Sequence, residues 1–326
     1  YDTLIIAVGS TTNDFGVKGA SEYSIALDTQ DQAEKFHRRL HNALVRAQTQ
    51  VAPVHAGQLE VVIVGAGATG VELSAELHNT TRELAAYGLD KINPDRDIQI
   101  SLIEASTRVL PALPPKLSNS VALELSKLRV HLYTGERVTE VTDKGVYTHS
   151  GRFIPSVLVV WAAGIKAPDF LHEIDGLETN RINQLVVSRT LQTTQDENVF
   201  AFGDCAACPW IGHADENVPP RAQAAHQQAS MLIKSVKCRV AGKTNLPEFT
   251  YRDYGSLVNL GSYTTVGNLM GALSGGSLFI EGMFARLMYQ SLYKMHLMAL
   301  HGFWSTALQT VARTITRRTE SQVKLH

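Results

Sequence analysis

The sequence predicts an α/β fold on a parallel sheet, and three observations carry that expectation. Short apolar runs of the buried-strand kind, EVVIV at 60–64 among them, alternate with segments whose apolar residues fall at helical spacing. A glycine-rich loop, Gly65-Ala66-Gly67-Ala68-Thr69-Gly70, joins one such strand directly to one such helix. After residue 250 the texture changes to small residues and turns, and then to a long amphipathic stretch with a basic tail.

Composition sets the frame. A chain of 326 residues has room for about two domains and an appendage. It is 44% apolar and 19% charged with a formal charge of -1, so no global field would gather nucleic acid. Cys205, Cys208 and Cys238 are too few and too uneven for a secreted disulfide framework, which points to a reducing compartment. No apolar run approaches the roughly 18 residues of a membrane-spanning helix, and residue 1 does not open a signal peptide.

The elements follow in order. Residues 1–8 (YDTLIIAV) read as a strand closed by Gly9. No methionine or polar lead precedes this strand, which suggests that upstream sequence is absent; a genuine edge strand is the other reading. Residues 11–23 read as loop. Residues 29–47 read as a helix with Ala33, Phe36, Leu40 and Leu44 on one face and Asp28 or Thr29 as its cap. A connector with Pro53 and Gly57 leads to strand 60–64, helix 68–87 and a turn at 88–94. Strand 98–103 ends at Glu104; a proline-rich loop, helix 118–128, strand 130–133 and alternating segments to 153 follow. Strand 157–161 runs into Ala162-Ala163-Gly164, residues 168–195 are loop-rich, and strand 198–202 precedes Gly203-Asp204-Cys205. Pro220 starts a helix over 221–238.

The glycine loop is informative because of where it lies. Gly65 permits the tight turn, Gly67 lets a diphosphate approach the backbone, and Gly70 lets helix and strand pack closely. The helix start then offers its N–H groups to the diphosphate. Glu104, at the end of the next strand, sits where a carboxylate accepts both ribose hydroxyls and repels a 2′-phosphate, so NAD(H) is favoured over NADP(H). A surface cap is the plainer reading of Glu104. Glu72 lies two residues past Gly70 with Glu76 four residues on. A carboxylate suits a helix N-terminus, but a diphosphate there would repel it. Glu72 is therefore expected to point away, toward the nicotinamide end or a second cofactor.

In the C-terminal stretch, Phe284, Leu287, Met288, Leu292, Met295 and Met298 form an apolar stripe that Leu297, Leu300 and Phe303 widen, with Arg286 and Lys294 among them. Arg313, Arg317, Arg318 and Lys324 follow. Such a helix can lie in a membrane interface, cover the protein's own core or pair two copies.

Four segments carry a resemblance: VVIVGAGATGVELSAELHN (61–79), VVWAAGIKAP (159–168), LQTTQDENVFAFGDCA (191–206) and VPPRAQAAHQQA (218–229). Together they resemble the type II NADH:quinone oxidoreductases, single-subunit respiratory dehydrogenases that do not pump protons. The resemblance covers the whole chain. It implies two Rossmann-like dinucleotide-binding domains, for FAD and for NADH/NAD, and a C-terminal amphipathic helical region bound to the membrane. The implied boundaries are 1–56 and 166–250 for the FAD domain, 57–165 for the NADH domain and 251–326 for the membrane region. The family's first FAD fingerprint lies upstream of Tyr1, so the FAD domain is expected to be incomplete here.

The implied partners are NADH, a membrane quinone and the lipid surface, with a homodimer open and no nucleic acid. The implied place is the cytoplasmic face of a bacterial inner membrane. The implied cofactor contacts are Gly9, Gly65, Gly67, Thr69, Gly70, Glu104, Ala163, Gly164, Gly203, Asp204 and Ala222. Glu72, Gln223 and Gln227 are the implied catalytic group, the glutamines as positioning hydrogen-bond partners near the quinone. No metal is expected: Cys205 and Cys208 form a CxxC, with His213 the nearest further ligand, but their place after Gly203-Asp204 fits packing near the flavin better than a zinc site or a redox dithiol. Two rivals stay open: a soluble NADH-dependent flavin reductase of a disulfide or small oxidant, and a truncated non-catalytic nucleotide-binding chain.

Overall fold

The structure is a computed structural model and describes residues 1–55, 57–86, 88–260, 264–270 and 277–316. The chain forms two compact units, Tyr1–Phe15 with Gly164–Tyr254 and Gly16–Ala163 with Gly255–His326.

The larger unit is built on a five-stranded parallel sheet in the order Ser24–Ile25, Leu158–Trp161, Glu60–Val64, Gln99–Glu104 and His131–Thr134. Side chains alternate across a strand. Val61 and Ile63 thus enter a core with the helices, and Val62 and Val64 one on the opposite face. The helical face carries Gln30–Thr49, Ala68–Ala86 and Pro115–Lys127. The other face meets an antiparallel sheet of Val138–Thr142, Gly145–Thr148 and Phe153–Pro155. With both faces covered, EVVIV can be apolar at consecutive positions.

Helix Gln30–Thr49 starts in a capping box: Thr29 Oγ1 accepts from Gln32 N at 3.3 Å and Gln32 Oε1 accepts from Thr29 N at 3.1 Å. It buries Phe36, Leu40, Ala43, Leu44 and Ala47, while Ala33, expected on that face, is exposed.

Two domain assignments change. Residues 16–56, expected with the FAD domain, belong to the larger unit, because Phe36, Leu40 and Leu44 share a core with Val61, Ile63 and Leu158. The region from Gly255 does not stand apart either. Read from sequence as turns, it forms an antiparallel sheet of Gly255–Leu260, Thr264–Met270 and Ser277–Glu281, whose Val258 and Leu260 enter that same core. The C-terminal stretch is two helices, Gly282–His301 and Phe303–Thr316, broken at Gly302 in the left-handed region (φ 80°). Arg317, Arg318 and Lys324 lie outside the described residues, as do the side chains of Phe284, Arg286 and Arg313.

The smaller unit pairs Leu4–Ile6 in parallel with Val199–Ala201, and Leu185–Val186 in parallel with Ala206–Ala207. Ile165–Lys166 runs antiparallel to Thr11–Thr12. Helix Ala222–Val240 contributes Ala224, Met231 and Leu232 to a core with Phe200, Leu171 and Leu185.

The new place of residues 16–56 is testable at Leu44, which is 2% exposed. Leu44→Ala is expected to cost about 2–5 kcal/mol of stability in urea unfolding. A cost under about 1 kcal/mol would take the helix off that core.

Candidate functional site

The glycine loop lies at the carboxyl ends of the sheet strands, where open α/β sheets bind ligands. Its three glycines differ in kind. A Cβ on Gly65 (φ 103°) would stand 2.7 Å from the carbonyl of Ala162, and one on Gly70 would overlap the Gly65 carbonyl oxygen. A Cβ on Gly67 would meet nothing within 4 Å. Gly65 and Gly70 are therefore required by packing, whereas Gly67 faces the open space a diphosphate needs. Thr69 is exposed in the first helical turn.

Glu104 closes the loop from the neighbouring strand. Its Oε2 accepts from Ala66 N and its Oε1 from Ser106 N, each at 2.8 Å. An ionised carboxylate has about four acceptor positions, so capacity for two ribose hydroxyls is left after these bonds. Behind the loop, Trp161 Nε1 donates to the Ala163 carbonyl at 3.1 Å.

Glu72 is half-buried, and its Oε1 accepts from the backbone N–H of Asn259 at 2.9 Å. Burial lifts its carboxyl above the ordinary range, with the Asn259 bond pulling the other way. Tyr289, on helix Gly282–His301, is likewise raised, by burial first and then by the charge of Glu72. Glu76 is exposed.

In the smaller unit Gly9 (φ 70°) has open space where a Cβ would stand. Beside it, Ser10 Oγ donates to Asp204 Oδ2 at 2.9 Å. Gly203 (φ 75°) donates its N–H to Gln228 Oε1 at 2.8 Å, and Gln184 Nε2 donates to the Asp204 carbonyl at 2.9 Å. Gly9, Gly203 and Asp204 thus come together. Gly164 (φ 69°) is fixed by packing instead, since a Cβ there would enter the Phe15 ring. Ala222 opens the helix whose cap residue is Arg221.

Gln223 and Gln227 bond the chain at 252–254: Gln227 Nε2 donates to the Arg252 carbonyl at 2.9 Å and Gln223 Nε2 to Asp253 Oδ1 at 3.2 Å. Sequence reasoning missed Gln184, Gln228, Asp253 and Asn259. Only Gln228 left a signal, a polar residue on the inner face of its helix.

Cys205 and Cys208 are both buried, and burial raises both thiols, Cys208 to about 11. Buried cysteines with raised pKa are poor nucleophiles. His213 stacks on Trp210 with ring centroids 3.6 Å apart. Among the described residues no three His, Cys, Asp or Glu side chains are grouped to hold a metal.

This geometry has known relatives. Residues 1–229 match the pyridine nucleotide-disulphide oxidoreductase family. The whole chain is 40% identical to the type II NADH:quinone oxidoreductase of Haemophilus influenzae and covers 75% of it. The chain belongs to the type II NADH:quinone oxidoreductases. The Mycobacterium tuberculosis member is 30% identical over 97% of the chain, which covers 67% of that protein. The NDH2 structure from Plasmodium falciparum, solved with NADH, superposes with a TM-score of 0.81 over 98% of this chain and 78% of that one. At 21% identity that likeness carries the fold alone.

Glu72 gives a pH signature. A carboxyl raised in the folded state favours folding while protonated, and that contribution is lost as pH rises through the folded pKa. Glu72→Gln, which cannot ionise, is expected to raise the Tm at about pH 8, with the gain fading toward about pH 4. A pH-independent difference in thermal melts would detach Glu72 from this titration.

Proposed function

We propose that this chain carries out FAD-dependent oxidation of NADH with electron transfer to a membrane quinone, without proton pumping. The observation that carries it is the 65–70 loop: two glycines locked by packing, a third open for a diphosphate, and Glu104 aligned from the next strand. The residues present fit both nucleotides. Gly65, Gly67, Thr69, Gly70, Glu104 and Ala163 would hold NADH. Gly9, Gly164, Gly203, Asp204 and Ala222 would hold FAD, since Gly9 has the same open space and Asp204 is already oriented by Ser10.

When bound, FAD supplies the redox chemistry, a two-electron exchange between nicotinamide and quinone. The chain's own residues orient the reactants and manage protons. NADH gives up two electrons and one proton as hydride, while a quinone takes two electrons and two protons. One proton must come from elsewhere. Glu72, half-buried and raised, is suited to hold it on its carboxyl group. Gln223 and Gln227 are amides, so their role is positioning.

The test is NADH oxidation by the FAD-loaded enzyme with a short-chain quinone in detergent. Gly67→Ala, which meets no packing obstacle, is expected to leave the Tm unchanged and to raise the KM for NADH about tenfold or more. An enzyme that binds FAD yet leaves quinone unreduced would sink the reading.

Membrane association is the second part of this reading. Leu287, Leu292, Met295, Leu300, Phe303, Trp304, Leu308 and Val311 are exposed on the two C-terminal helices, Trp304 at 78%. Among the described residues no helix is long and apolar enough to cross a membrane. A solvent-facing row of this kind suits interfacial binding, and the face we propose is the cytoplasmic one of the inner membrane. Sedimentation with anionic lipid vesicles is expected, weakened by Trp304→Ala with Leu308→Ala. Equal sedimentation of the double variant would move the contact elsewhere, and concentration-dependent pairing without vesicle binding would favour a homodimer.

A further inference from the structure

We propose that Asp253 is a positioning residue for the electron-acceptor end of the reaction, fixing the carboxamide of Gln223 in one orientation while Arg221 balances its charge. The inference rests on the reading that Gln223 and Gln227 meet the quinone.

Gln223 and Gln227 lie four residues apart and so share one face of helix Ala222–Val240. Both engage the segment 252–254, but differently. Gln227 is held by the backbone of one residue: its Nε2 donates to the Arg252 carbonyl at 2.9 Å and its Oε1 accepts from Arg252 N at 3.0 Å. Gln223 takes one partner from the backbone, Tyr254 N to its Oε1 at 3.1 Å, and one from a side chain, its Nε2 to Asp253 Oδ1 at 3.2 Å. The other oxygen, Asp253 Oδ2, pairs with Arg221 Nη1 at 3.1 Å. Arg221 stands at the N-cap position of the same helix, so all three side chains meet at its first turn.

Donor and acceptor chemistry then dictates the amide's direction. An ionised carboxylate only accepts and a backbone N–H only donates. Turning the Gln223 amide by half a revolution would set its oxygen against Asp253 and its NH2 against Tyr254 N–H, repulsive at both ends. An amide that must offer a donor to a quinone carbonyl needs such a fixed direction, because a rotating group presents the wrong atom part of the time. The carboxylate strengthens the hold through a charge-assisted bond. Its side chain is 16% exposed and that of Arg221 29%, so solvent screens the pair only in part.

Substitution separates this role from general support. An asparagine at 253 cannot accept from both neighbours: one of them meets its NH2. With the FAD-loaded, full-length enzyme in detergent, Asp253→Asn is expected to raise the KM for a short-chain quinone about tenfold, as loss of one charge-assisted hydrogen bond would. Flavin content and NADH oxidation with ferricyanide, which needs no quinone carbonyl contact, are expected to stay within about twofold. Asp253→Glu keeps the charge and is expected to recover most of the quinone affinity. If Asp253→Asn loses its flavin, Arg221→Gln, which leaves the carboxylate and removes its counter-charge, is expected to show the same acceptor-selective rise. An unchanged quinone KM, or equal losses with both acceptors, overturns the proposal. Failure of the underlying reading looks different: the parent enzyme does not reduce quinone, or Gln223→Ala leaves its quinone KM untouched.

Discussion

The larger unit depends on how closely one helix approaches one strand. Gly70 sits where a methyl group would overlap the Gly65 carbonyl oxygen, and Gly65 sits where one would meet Ala162. Helix Ala68–Ala86 can therefore rise directly off strand Glu60–Val64 with its first N–H groups at the sheet's edge. The parallel register then fixes the rest. Val64 lies opposite Ile103, so the next residue, Glu104, falls beside the loop and bonds Ala66 N. A one-residue slip would turn that side chain to the other face of the sheet. The Glu104 carboxylate and the open space at Gly67 are thus set by one backbone alignment.

The same helix start poses an electrostatic problem, and the C-terminal sheet resolves it. A helix N-terminus attracts anions, and Glu72 would compete there with a diphosphate. Its carboxylate is drawn instead onto the N–H of Asn259 in strand Gly255–Leu260. That strand shares a core with the nucleotide-binding sheet through Val258 and Leu260. The sheet that begins at Gly255 is thereby part of the larger unit. Burial raises the Glu72 carboxyl, while the Asn259 bond of that sheet pulls the other way.

Local sequence disclosed what local physics controls. Strand Glu60–Val64 is found at the residues read from the sequence, and Gln99–Glu104 is displaced by one. The glycine loop was legible because three spaced glycines between strand and helix have few other uses. The pairing of residues 255–260 was not, because GSLVNL mixes weak strand formers with a broken alternation. Helix Gln30–Thr49 showed which face is apolar but not which core covers it, since periodicity carries no address. The break at Gly302 was hidden by apolar residues that continue through it. Gln228 with Gly203, Gln184 with Asp204, and Gln223 with Asp253 lie 20 or more residues apart in the chain, beyond the reach of local pattern.

The candidate groups divide their work by chemistry. Amides hold a direction but have no proton to give at neutral pH, which suits Gln223 and Gln227 to orient a neutral acceptor. Glu72 is a group of another kind, a half-buried carboxyl whose charge burial works against. Asp253, by contrast, has both carboxylate oxygens engaged, one by Arg221 and one by Gln223. One carboxylate has both oxygens tied up in fixing a geometry, and the other is half-buried with its pKa raised by burial. That contrast separates a positioning group from a proton-holding one.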